Sequence, residues 1–174
     1  MLQQYLPEHS VAQINTWIDQ LGVVVKITKP RGTKLGDFKV VNNKLCISIN
    51  NNLNLYSFLI TLTHELAHAF VYVNSKERVF PHGKEWQLTF KSMMLNFMNP
   101  EVFPEDLLKV LSLHIIKPKA SSSTDVNLTV LLRKYDDRQV LVIDDIAVGT
   151  VFKTSNGKIF KKGERLRKRF KCVE

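Results

Sequence analysis

The chain has 174 residues, 44 % of them hydrophobic and 24 % charged, enough for one domain with a real core and a small appendix. No stretch approaches about 18 consecutive apolar residues, which argues against a membrane-spanning helix. The start "MLQQYLPEHSVAQ" lacks the basic and then apolar run of a secretory signal. Cys46 and Cys172 make neither a disulfide framework nor a Cys-x-x-Cys pair, so a reducing, cytoplasmic setting is expected. The net charge of +9 is unevenly placed. Residues 151–174 hold nine Lys or Arg against two Glu, ending in "KKGERLRKRFKC". Such a cluster suits a polyanion, nucleic acid first, although a solvated strand face has the same composition.

The first helix is expected over 10–21. Ser10 can cap it, Val11, Ile14, Trp17, Ile18 and Leu21 recur at helical spacing, and Gly22 suits its C-terminal end. The β-branched "VVVKITKP" reads as a strand. "KLGDFKVVNNKLCISIN" reads as two strands turning at Asn42-Asn43. Residues 55–73, "LYSFLITLTHELAHAFVYV", contain no Gly, Pro or charge except Glu65, and their length favours a buried helix despite several β-branched residues. The polar "NSKERVFPHG" precedes a helix in "KEWQLTFKSMMLNF", whose Trp86, Phe90, Met93, Met94 and Phe97 have ordinary core spacing. Pro104 opens a third helix ending near His114. "KPKASSSTD", residues 117–125, reads as a linker. Beyond it, "NLTVLLRKY", "RQVLVIDD" and "GTVFKTSNGKIFKKG" suggest a β unit of about three to five strands, with a hairpin at Asn156-Gly157.

One segment of the long helix carries chemistry. His64, Glu65 and His68 form His-Glu-x-x-His, which on a helix stacks two imidazoles one turn apart on one face. Burying these groups without partners costs several kcal/mol, and a metal resolves that cost. A catalytic zinc needs three protein ligands and an open position. His82 in "PHGKEW" and Glu85 one turn beyond are the candidates for the third. Glu65 lies beside a ligand but off its axis, placed to accept a proton from a metal-bound water and return it to a leaving amine. Trp86 can wall the cleft or pack in the core.

The run "THELAHAFVYVNSKERVFPHGKEWQLTFKSMM" resembles the SprT-like metalloprotease domain, whose members include the eukaryotic protease Spartan. There a His-Glu-x-x-His helix is followed, after a short loop, by a His-Gly-x-x-aromatic segment opening the next helix, matched here by His64 to His68 and by His82, Gly83 and Trp86. The preceding "KLGDFK" and "LCISIN" look like the strands before that helix. The resemblance covers residues 10–115 and favours His82 as third ligand. It implies an α+β fold with a minigluzincin-like zincin core, one catalytic Zn2+ and Glu65 as base.

The resulting expectation is a SprT-like metalloprotease domain over 1–116, a linker over 117–125 and a small basic β-rich unit over 126–174. Its function would be that of a zinc-dependent endopeptidase acting on proteins associated with nucleic acid. Spartan relatives cut proteins attached to DNA, and DNA or another nucleic acid would here be held by the basic unit through Lys161, Lys162, Arg165, Arg167, Lys168 and Arg169, although the same unit could dock a protein or cover the catalytic domain instead. Bacterial relatives often end in a cysteine zinc ribbon, which a lone Cys172 cannot build. The alternative is a nucleic-acid-binding or transcription-associated protein whose zinc is structural, and retention of Glu65 argues against it.

Overall fold

A computed structural model of the chain describes residues 2–75, 79–116, 118, 125–137, 141–154, 156–167 and 169–174. Two compact units are present, one ending at Asp137 and the other beginning at Arg138.

Among the described residues, the first unit packs five helices around a three-stranded sheet. Helix α1 (Val11–Leu21) ends at Gly22, whose φ of 60° is the left-handed cap expected of glycine. The Ser10 hydroxyl donates to the Pro7 carbonyl and makes no cap bond to the helix. Strands β1 (Val24–Thr28), β2 (Gly36–Val41) and β3 (Lys44–Asn50) order as β1-β3-β2, with β1 parallel and β2 antiparallel to β3. Asn42 and Asn43 have φ of 50° and 59°, and Val41 faces Lys44, so the β2–β3 connection is a two-residue turn with both central residues left-handed. β2 is therefore an edge strand. The loop before it is tied to β3: the Arg31 guanidinium donates to Asn50 Oδ1 and Ser48 Oγ, and the Asn50 amide donates back to the carbonyls of Arg31 and Lys34.

Helix α2 (Leu55–Asn74) crosses the sheet and is capped by the Asn54 side chain, which accepts from the Ser57 N–H at 2.9 Å. Its threonines fit because their hydroxyls find carbonyls one turn back, Thr61 to Ser57 and Thr63 to Leu59. Phe58, Leu59, Leu62, Leu66, Ala67 and Ala69 are wholly buried, and the core continues into Ile47 and Ile49 of β3. Helices α3 (Lys84–Leu95) and α4 (Glu105–His114) complete the expected set.

One expected strand is a helix. "NLTVLLR" forms α5 (Val126–Arg133), capped by Asp125, and its Leu128 and Leu132 join the core of the first unit. The Asn54 amide donates to the Leu132 carbonyl, and Tyr135 packs edge-on against Tyr56. The four-residue spacing of Leu128 and Leu132 behind a capping Asp outweighs the β-branched residues between them. The first unit thus extends past the expected boundary at 116 and through Asp137. Of the expected linker, only Pro118 and Asp125 lie within the described residues.

Among the described residues, the second unit holds one antiparallel sheet, β4 (Val151–Lys153), β5 (Ile159–Leu166) and β6 (Arg169–Val173). The expected hairpin at Asn156-Gly157 joins β4 to β5, with Gly157 at φ 88°. "RQVLVIDD" is expected as a strand, yet 142–145 form a turn in which the Asp145 side chain accepts from the Val142 N–H. Residues 138–140 lie outside the described residues.

Candidate metal centre

His64 and His68 project from one face of α2, and His82 reaches them from the turn that opens α3. Their Nε2 atoms form a triangle with sides of 3.0, 3.1 and 3.2 Å. His82 sits at φ 58°, a left-handed conformation uncommon for non-glycine residues, with Asn, Asp and His the ones enriched there. A tight turn holds it there. The Gly83 N–H donates to the Phe80 carbonyl at 2.9 Å, and a Cβ at Gly83 would meet that same oxygen at 2.9 Å. The Gln87 amide donates to the His82 carbonyl.

The chemistry of this trio fits a divalent metal. Burial, then the neighbouring imidazoles, hold His64 down to about 3 and His68 to about 4, and burial also lowers His82. All three rings are therefore neutral near pH 7, the state a metal requires. Each neutral ring carries at most one proton on Nε2, so a triangle of three such nitrogens cannot be satisfied by mutual hydrogen bonds. At least one side sets two lone pairs, or two N–H groups, against each other. Nitrogens bound about 2.0–2.1 Å from a tetrahedral zinc lie roughly 3.4 Å apart, within a few tenths of the separations seen. Among the described residues no other three His, Cys, Asp or Glu side chains converge in this way. Glu85, the alternative third ligand, is exposed in the first turn of α3 and outside the cluster.

Glu65 is buried, with 8 % of its surface exposed, on the sheet-facing side of α2. Burial and then the Asp37 charge push its carboxyl up to about 7, opposed by a hydrogen bond from the Phe38 backbone and by Arg31 and Lys34. Gly36 permits this approach of helix to strand. A Cβ there would lie 2.8 Å from Glu65 Oε1 and 2.8 Å from Thr61 Cγ2. The three histidines and Glu65 line one cavity of about 540 Å³, together with Gly36, Asp37 and Phe38 of β2.

Of the two roles open to it in sequence, Trp86 takes the core one, backing the histidines without lining their cavity. It is 1 % exposed and stacked on Phe90, yet its ring lies 4.5, 5.3 and 4.7 Å from those of His64, His68 and His82. Its indole N–H donates to the His64 carbonyl at 3.3 Å. Two contributors were missed in sequence. Gly36 looked like part of a strand. His114, in the last turn of α4, is buried with Nδ1 3.0 Å from Asp125 Oδ2, and it lines the same cavity. Nothing in its local pattern distinguished it from a helix-terminal histidine.

The basic residues of the second unit divide. Lys161, Arg165, Arg167 and Arg169 are exposed. Lys162 is not: it is 4 % exposed, its ammonium donates to the Ile146 carbonyl at 2.6 Å, and it lies 4.1 Å from the Phe170 ring centre. It is a core residue of that sheet, and this corrects its expected place on a nucleic-acid surface. Strand alternation turns it inward while Lys161 faces out. Lys168 lies outside the described residues. Among the described residues no helix is long and apolar enough to cross a membrane.

No curated protein and no solved structure shows significant similarity to the chain. The sequence profile of the SprT-like family matches residues 7–104, more than half of the chain and the stretch that carries α1 to α3, the three histidines and Glu65. The chain belongs to the SprT-like family.

Proposed function

We propose that the protein is a zinc-dependent endopeptidase that cuts protein chains associated with nucleic acid. The observation that carries this reading is the position of Glu65: next in sequence to a ligand histidine, buried, and lining the cavity into which the histidine trio opens. A structural three-histidine site has no need of a buried carboxylate there. Zinc held by His64, His68 and His82 would supply the Lewis acidity that makes water nucleophilic near neutral pH.

Glu65 would accept the proton of the attacking water and pass it to the departing amine. Burial and the Asp37 charge raise its carboxyl, and the charge of a bound zinc would act in the opposite direction, favouring the carboxylate form that accepts the proton. The Phe38 backbone faces the carboxyl from β2 and favours its charged form. β2 is an edge strand whose Gly36, Asp37 and Phe38 line the cavity, so a polypeptide laid along that edge in extended form would carry its carbonyl past the base. In the second unit, Lys161, Arg165, Arg167 and Arg169 offer a basic surface for phosphates.

The test compares wild type with Glu65→Gln for zinc content and for cleavage of casein and of a DNA-bound protein. About one zinc in each, with cleavage lost only in the variant, is the expected result. Equal cleavage by both, or none by either with DNA present, would favour a binding protein with a structural zinc. Charge reversal at Lys161, Arg165 and Arg169 is expected to weaken DNA binding and flatten its salt dependence.

A further inference from the structure

A second cavity, of about 340 Å³, adjoins the first and shares Phe38, His68 and Pro81 with it. Its remaining wall is mainly apolar, formed by Val71, Tyr72, Val79, Phe80 and Trp86. Phe38 and Tyr72 meet edge to face at 5.9 Å across one side. Phe80 is 84 % exposed, the most exposed large hydrophobic side chain among the described residues. The family assignment and the proposed reaction make no use of this hollow.

We propose that this cavity is the specificity subsite of the enzyme, receiving one bulky apolar side chain of the substrate, such as Phe, Leu or Met, next to the bond that is cut. The inference rests on the peptidase reading above. Three features carry it. The hollow is continuous with the catalytic cavity at His68 and Phe38, so a chain lying along β2 past Glu65 has a side chain within its reach. Among the described residues its lining offers no charged partner, and His68, the one group there that ordinarily titrates near neutral pH, belongs to the metal trio. The described walls thus favour an apolar side chain over a charged one. Its volume is at the lower end for ligand pockets, which suits a single large side chain. Selection at this site would direct cutting to apolar positions even where a nucleic-acid-associated substrate is rich in Lys and Arg.

The magnitude follows from burial. Taking up one large apolar side chain is worth on the order of tenfold to a hundredfold in affinity, the range of a single well-fitted hydrophobic contact. Val71 lies on α2 one turn from His68, and a larger side chain there fills the hollow from its floor.

The experiment measures binding of phenylalanine hydroxamate and glycine hydroxamate to the zinc-loaded protein by calorimetry. Wild type, Val71→Phe and Phe80→Ala are compared, with zinc content and thermal midpoint recorded for each. Both probes carry the same metal-chelating group, so their affinity ratio reports the side chain alone. The expected ratio is about tenfold to a hundredfold in favour of phenylalanine in wild type, near one in Val71→Phe and reduced in Phe80→Ala, with glycine hydroxamate binding and zinc unchanged. In parallel, mass-spectrometric mapping of casein cuts is expected to place Phe, Leu or Met at one position flanking the broken bond, and Val71→Phe to shift that position to small residues. Equal affinity of the two probes in wild type overturns the inference. So does an undiminished ratio in Val71→Phe with zinc retained. If Val71→Phe loses zinc or unfolds, an unchanged ratio in Phe80→Ala overturns it instead. Failure of the peptidase reading looks different, since Glu65→Gln would then match wild type in cleavage whatever the probe ratio.

Discussion

Replacing Gly36 by Ala tests how the strand and the helix together position Glu65, the proposed base. The added Cβ would lie 2.8 Å from Glu65 Oε1, 2.8 Å from Thr61 Cγ2 and 2.9 Å from Glu65 Cγ, where ordinary contacts are about 3.5–4.0 Å. The carboxylate end of Glu65 can swing, but Thr61 Cγ2 cannot. It belongs to a β-branched side chain whose hydroxyl is bonded to the Ser57 carbonyl, on a buried helix. Either β2 lifts from α2 or Glu65 leaves its place, and both disturb the bond from the Phe38 N–H to the Glu65 carboxyl. Overpacking of this kind costs about 1–3 kcal/mol of stability. Displacing a catalytic group by about 1 Å costs on the order of a hundredfold in rate. Gly36→Ala is therefore expected to lower the thermal midpoint by several degrees and to cut kcat for casein about a hundredfold, with one zinc retained. Adding Thr61→Ser removes the obstructing methyl, keeps the hydroxyl, and is expected to recover part of both losses. A Gly36→Ala enzyme with wild-type kcat and thermal midpoint would refute the argument, because it would mean that the helix–strand contact does not hold the base.

Three further outcomes are expected. Chelation should lower the thermal midpoint of wild type and added zinc should restore it, since a ligand at about a hundred times its Kd stabilises by about 2.7 kcal/mol; His82→Ala, which deletes one corner of the nitrogen triangle, should lose most of that response in a thermal melt with titrated zinc. Asn43→Val forces a β-branched residue into φ 59° in the β2–β3 turn and is expected to cost about 1–3 kcal/mol by urea unfolding, whereas Asn43→Gly should be neutral or stabilising. Lys162→Met should destabilise the second unit, because the Ile146 carbonyl loses its donor, while leaving the salt dependence of DNA binding nearly unchanged; Lys161→Met should do the reverse, with filter binding across a salt series as the measure.

Most of the helical scaffold is written locally. Gly22 and Pro104 mark helix ends by backbone conformation and Asn54 by a side-chain cap, all within a few residues, and Asn42-Asn43 marks the hairpin by its backbone conformation. The segment 126–133 was misread because its β-branched residues suggested a strand, while the decisive contacts, from Leu128 and Leu132 to a core built by much earlier parts of the chain, are not local. Lys162 was misread for a related reason. A lysine in a basic run looks like its neighbours until the strand pairing decides which face is covered.

By itself, the sequence determined the geometry of the candidate metal-binding pair. His64 and His68 share a helix face because 3.6 residues make a turn, and Glu65 must then stand beside them whatever the rest of the chain does. It could propose His82 but not place it. That residue reaches the pair only because the Phe80–Gly83 turn holds it in a left-handed conformation while Trp86 packs α3 against α2. Tertiary structure alone decided that Glu65 is buried against Asp37 and the Phe38 N–H, that Gly36 gives it room, that His114 closes the same cavity, and that an apolar hollow opens beyond His68. Spacing along one helix is a property of the backbone, whereas burial, electrostatic neighbours and cavities exist only between elements that the sequence keeps far apart.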